Sequence, residues 1–198
     1  MIRPSAPLVL FLLAASTGCL KPSSSAPVVL HTLSPIPAPA AAGQGHGPAL
    51  EVMPVRLPEM LQRPQLVVAQ GPGTLGLSET HRWGNPLDQD IQRVLVENLA
   101  LRLGGDAVVA SPYGERVAAR YRLELEVLSC DPGDGGGLAL KALWMVTPSA
   151  GGPALVVRRT DLREPLAGPD PEALVAAHNR ILGALSETIA SALKALAP

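Results

Sequence analysis

Apolar residues recur at helical spacing in two stretches of this chain and alternate with polar residues in several others. The strongest period is C-terminal, where Leu174, His178, Ile181, Leu182, Leu185, Ile189, Leu193 and Leu196 mark one face of a helix. Asp170 stands where a capping side chain belongs and Pro171 at the first helical position. The helix so predicted runs for roughly 26 residues, about 39 Å. That is long for packing on one sheet, so its end is expected to overhang and meet a partner. An earlier stripe, Leu87, Ile91, Val94 and Leu95, widened by Val96, Leu99 and Leu103, predicts a second helix. Asn85 would cap it, Pro86 open it, Asp88 and Asp90 suit its positive end, and Gly104 stops it.

Period-two alternation is clearest at Tyr121, Leu123, Leu125 and Val127, which face one way while Arg122, Glu124 and Glu126 face the other. The Gly-rich stretch 131–137 turns the chain back into Leu138–Val146, apolar on both faces and so central in a sheet. Leu155–Leu162 completes a three-stranded meander. Leu50–Leu57 reads as a strand that Pro54 demotes to an edge or a bulge. Gln65–Ala69 is a short strand before a Gly71-Pro72-Gly73 turn, and Val28–Leu33 has strand character. Strands, helix, strands, helix predicts a single α+β domain: a mixed or antiparallel sheet with both helices on one face.

Composition changes this picture mainly at the N-terminus. Of 198 residues 47% are apolar, yet only two Trp, two Tyr and one Phe are aromatic, so the core must be aliphatic. Arg3, an apolar run from Leu8 to Ala15, and then Ser16-Thr17-Gly18-Cys19 read as an export signal rather than as fold. The apolar run is too short to cross a bilayer, which takes about 20 residues in a helix. Ser16-Thr17-Gly18-Cys19 resembles the bacterial lipobox, which implies removal of residues 1–18 and lipid on Cys19. Leu20 rather than Asp follows the cysteine, and by the same resemblance that implies the periplasmic face of the outer membrane. Residues 19–27 would then be a lipidated tether. The domain spans 28–198, with a Pro/Ala/Gly-rich flexible loop at 34–48 that follows its first strand.

Net charge is −1, without a basic stripe, which argues against a nucleic-acid partner. No P-loop, no G-x-S-x-G elbow, no H-E-x-x-H and no C-x-x-C occurs. Cys130, with Cys19 committed to lipid, reads as a small buried residue at a strand end, and His178 as a packed histidine on the apolar stripe. The chain therefore reads as a non-enzyme without cofactor or metal.

Several blocks resemble the ABC-type transport auxiliary lipoproteins. Leu57–Val68, with Pro58, Leu61, Arg63, Pro64, Leu66 and Val67, is similar to their P-x-x-L-x-R-P-x-(I/V)-V opening. Arg82-Trp83-Gly84-Asn85-Pro86-Leu87, followed by Ile91, Arg93, Val94, Leu95, Asn98 and Leu99, resembles R-W-x-x-P-L … I-x-R-V-L-x-x-N-L. Leu138–Trp144 resembles an L-x-A-x-W strand. The chain departs at His31, where Tyr is usual, and at Gln62, where Asp is common. Within the family the likeness is to the lipoprotein of the paraquat-inducible MCE transport system. This resemblance implies a non-enzymatic subunit that docks a periplasm-spanning MCE-domain protein at the outer membrane. It also implies a ring-forming homo-oligomer serving transport of lipids or other hydrophobic molecules. Arg63, Pro64, Arg82, Trp83, Pro86, Leu87 and Trp144 are the signature residues it offers as candidates for an interface. A stand-alone lipid carrier with its own apolar cavity is the alternative.

Overall fold

The computed structural model describes residues 26–37, 47–105, 107–133 and 136–196. Cys19, the export signal and most of the tether lie outside the described residues. Among the described residues eight strands form: β1 (Val29–His31), β2 (Leu50–Val52), β3 (Gln65–Gly71), β4 (Thr74–Trp83), β5 (Val108–Ala110), β6 (Tyr121–Gly133), β7 (Gly137–Pro148) and β8 (Val156–Pro165). Two helices, α1 (Leu87–Leu103) and α2 (Pro171–Leu196), complete an α+β domain.

The alternation in β6 works as its pattern demands. Tyr121, Leu123, Leu125 and Val127 are buried, and the register sets Leu125 opposite Trp144, which is also buried. In β7 the inward set is Leu138, Leu140, Ala142, Trp144 and Val146. β8 pairs antiparallel with β7 and closes the meander. Trp144 fills the sheet's centre, and its indole N–H donates to Thr160 Oγ1 at 2.9 Å, so its one polar atom is satisfied. The apolar stripes of α1 and α2 join these strands in one core.

The pairing is split where one sheet was expected. β5-β2-β6-β7-β8 make a five-stranded sheet, and β1-β4-β3 a separate three-stranded one. β4 does not announce itself in the sequence. Beyond Leu75 and Leu77 it reads Ser78-Glu79-Thr80-His81-Arg82, because this narrow sheet leaves most of the strand half-exposed and no apolar alternation is required. β5 is three residues long, too short to carry a period. β2 is shorter than the alternation implied and lies inside the sheet, parallel to both β5 and β6. Pro54 does act as a bulge. Met53 donates to Leu123 O at 2.9 Å and Arg56 to Leu125 O at 3.0 Å, three steps on one strand against two on the other.

Helix ends follow their signals with one exception. Asp170 Oδ1 accepts the Ala173 amide at 2.7 Å, and Gly104 takes a left-handed φ of 70° past the end of α1. At the start of α1 the cap position falls to Pro86 and Asn85 makes no capping bond. α2 does not overhang, since residues from Ala173 to Leu193 are buried along its whole length. The reason is length matching: the 13 residues of β6 extend about 43 Å, against about 39 Å for the 26 of α2.

Leu185 lies at 0% exposure and Leu101 at 47%. Leu185→Ala should cost about 2–5 kcal/mol in denaturant unfolding, and Leu101→Ala less than about 0.5 kcal/mol. Equal effects would contradict this packing.

Candidate functional site

Residues 32–37 are in no strand, yet Leu33 is buried, so its polar backbone needs other partners. Side chains of both helices supply them. Leu33 N–H donates to Asp90 Oδ2 at 2.8 Å, Ser34 N–H to Asn179 Oδ1 at 2.9 Å, and Ile36 N–H to Asn98 Oδ1 at 2.9 Å. Arg93 closes the clamp, giving one guanidinium N–H to the Leu33 carbonyl at 2.6 Å and another to Asp90 Oδ1 at 2.7 Å. The Asp90 carboxylate, followed by Glu97, holds the Arg93 guanidinium above its ordinary pKa, against the opposing cost of burial. Residues 33–36 therefore form a strap fastened to α1 and α2, where the sequence had placed the start of a loop.

Spacing shows how the strap lies. From Leu33 to Ile36 an extended chain advances about 10 Å, and from Asp90 to Asn98 a helix advances about 12 Å. On α2 the matching partners are Asn179 and Gly183. A Cβ on Gly183 would stand 3.2 Å from Ile36 Cβ, so glycine here makes room for the strap. Four residues further along each helix, Arg102 reaches Glu187 at 3.0 Å. The strap thus lies in a groove between two helices that run parallel to it and to each other.

The signature residues divide into two sets. Trp83 (7% exposed), Leu87 and Trp144 are buried, Trp83 lying edge-on to His178 with centroids 5.3 Å apart. Arg63 and Pro64 are exposed, as are Gly84, Asn85 and Pro86, while Arg82 is half-buried. Trp83 N–H donates to Pro64 O at 2.7 Å and Gly84 N–H to His31 O at 2.7 Å. These bonds seat Arg63-Pro64 beside the Gly84–Pro86 corner, an exposed rim over the buried tryptophan.

Burial pushes the Cys130 thiol up to about 12, with Asp131 adding to the effect, so it carries no thiolate at neutral pH. Burial pulls His178 down to about 4, partly offset by its Nδ1 contact with Leu174 O at 2.9 Å. Space around Trp83 and His178 amounts to about 10 Å³, close to a single water. A larger open groove of about 510 Å³ lies between the β3–β4 turn, the β6–β7 turn and the start of α2, with Val68, Pro132, Leu166 and Leu174 on its walls. Among the described residues one group of metal-ligand type converges, His31, His81 and Glu172. No helix among them is long and apolar enough to cross a membrane.

Comparison with known proteins bears on this arrangement. The family model of the ABC-type transport auxiliary lipoprotein component matches residues 31–190. A crystal structure of an uncharacterized protein superposes with a TM-score of 0.69 at 21% identity, covering 85% of this chain and 99% of its own. One from Xanthomonas campestris gives 0.66 at 18% identity, covering 83% and 93%. At these identities the likeness is one of fold. No curated protein matches.

Asp90→Ala should release the strap at a cost of about 1–3 kcal/mol, since it leaves the buried Leu33 amide unpaired and Arg93 with Glu97 as its remaining acid. Limited proteolysis would read this as new cleavage within residues 32–37; no new cut there would refute the clamp. His178 gives a second test. Its folded value lies below 6.5, so the unfolded chain takes up the proton first as pH falls. Stability is complete above about 6.5 and should fall by about 2–3 kcal/mol between pH 7 and 4.5 from this group. Denaturant midpoints should show a flatter acid limb in His178→Phe, and an identical slope in both proteins would overturn the assignment.

Proposed function

The chain belongs to the ABC-type transport auxiliary lipoprotein component family, and from that premise we propose that it is a non-enzymatic envelope subunit acting by position. In this reading residues 1–18 are removed and lipid on Cys19 holds the protein at the periplasmic face of the outer membrane. There the domain docks an MCE-domain protein that carries lipids or similar hydrophobic molecules. The observation that supports it best is the strap. The stretch just after β1 is bound by side chains of both helices, which suits a domain held from its N-terminal side. Residues 19–27 extend at most about 30 Å, which sets how far the domain reaches from the bilayer.

Contact with the partner, and with sister subunits in a ring, falls to the exposed half of the signature: Arg63, Pro64 and Pro86. Trp83 and Leu87 support that rim from below. Substituting Trp83 would disturb the core, so the rim is the better probe of assembly. The open groove of about 510 Å³ keeps the second reading in play, a carrier that holds an acyl chain itself, because its size falls within the range of small-molecule sites.

The test is the mass of the purified protein in solution, followed by binding to the MCE-domain partner. A discrete closed oligomer is expected. Arg63→Glu should weaken partner binding about tenfold or more with an unchanged unfolding curve, as interface charges do when reversed. A monomer that binds lipid stoichiometrically and ignores the partner would favour the carrier instead.

A further inference from the structure

β1 and β4 pair in parallel, with Val29 opposite His81 and His31 opposite Trp83. His31 and His81 are thus diagonal neighbours on one face of the small sheet. Their rings stack with centroids 5.2 Å apart and planes inclined by 21°, and His31 Nε2 stands 2.9 Å from His81 Nδ1. Both rings are half-buried. A carboxylate oxygen of Glu172, in the first turn of α2, completes the group, and all three ligand atoms lie within 4.8 Å of one another.

We propose that His31, His81 and Glu172 bind a divalent transition metal, with zinc the best match. Two imidazole nitrogens and one carboxylate from separate elements are a recurrent zinc ligand set, with remaining positions left to water. Around tetrahedral zinc, two nitrogens at about 2.0–2.1 Å from the metal stand about 3.3 Å apart. The pair therefore has to open by only about 0.4 Å. β1 is a three-residue edge strand, so that movement disturbs little. Without metal, one ring donates its N–H to the other's lone pair. With metal, both lone pairs turn to the ion, and the donor ring stays neutral by changing tautomer, its proton passing through water to the far ring nitrogen. Imidazole selects against magnesium and calcium, which prefer all-oxygen sites.

The consequence is mechanical. His31 belongs to β1, just ahead of the strap, and Glu172 to the helix on which the strap lies. A bound ion would staple the root of the N-terminal segment to the start of α2, adding to the hydrogen bonds of Ser34 and Ile36. This inference stands apart from the transport reading, since it concerns only the ligands.

Zinc titration of the purified, chelator-stripped protein in detergent, followed by calorimetry, tests it. One ion per chain is expected. Zinc at about a hundredfold over its Kd should raise the thermal midpoint by about 5–10 °C, and magnesium should leave it unchanged. His81→Ala and Glu172→Gln should each weaken zinc at least about tenfold. Glu172 is exposed, so its variant should keep the metal-free unfolding midpoint of the parent. No saturable zinc binding, or undiminished affinity in both variants, would overturn the site.

Discussion

A buried carboxylate that accepts a backbone amide from a segment in no strand is the constraint from which much of this architecture follows. Extended chain laid against a helix pair cannot use sheet hydrogen bonds, and leaving its amides bare in the interior would cost about 1–3 kcal/mol each. Asp90, at 3% exposure, meets that need for Leu33, and its charge is in turn balanced by Arg93. Because Asp90 and Asn98 must face the strap, α1 is not a simple amphipathic helix: polar side chains interrupt its buried face. Arg102, also buried, spans from the Asn98 carbonyl to Glu187 and ties the helices beyond the strap's end. Gly183 on the opposite helix is the steric counterpart, since any side chain there would meet Ile36.

This explains which parts of the structure could be read from the sequence. α2 and β6–β8 face one apolar core, and a single buried face writes its period into the chain. The end of α1 and the start of α2 were legible because Gly104 and Asp170 act locally. β4 was not, because a strand half-exposed on both faces has no alternation to offer. Asp90 was legible only as a helix-start acid; its role depends on Leu33, 57 positions away. The division into two sheets was likewise hidden, since parallel pairing of β1 with β4 joins segments about 50 residues apart that carry no mutual signal.

The signature motifs gain separate physical meanings from the same geometry. Arg93 and Asn98, which lie within the block after Pro86, hold the strap. Trp83, Leu87 and Trp144 fill the core, the Trp83 amide also bonds the Pro64 carbonyl, and the Gly84 amide bonds His31 at the end of β1. What remains outside is the side chains of Arg63, Pro64 and Pro86, although the carbonyls of both prolines accept amides of buried residues, Trp83 and Asp90. Side chains that a motif retains without an internal task are the reasonable place to look for an external one.

The direction of the strap bears on what a tethered domain must withstand. Strap, α1 and α2 run the same way, and strap and helices keep pace because a strand gains about 3.3 Å per residue where a helix gains about 1.5 Å. Ser34 and Ile36, two residues apart, consequently meet Asn179 and Gly183, four apart. Attachment is thus spread along about 10 Å of groove and over two helices rather than concentrated at one end. In the lipid-anchored reading, tension along the strap loads the bonds at Leu33, Ser34 and Ile36 together with the β1 ladder, so no single bond bears it alone. A segment merely trailing from the domain would have no use for four side chains committed to its backbone. In the lipid-anchored reading their presence suits a domain held from its N-terminal side.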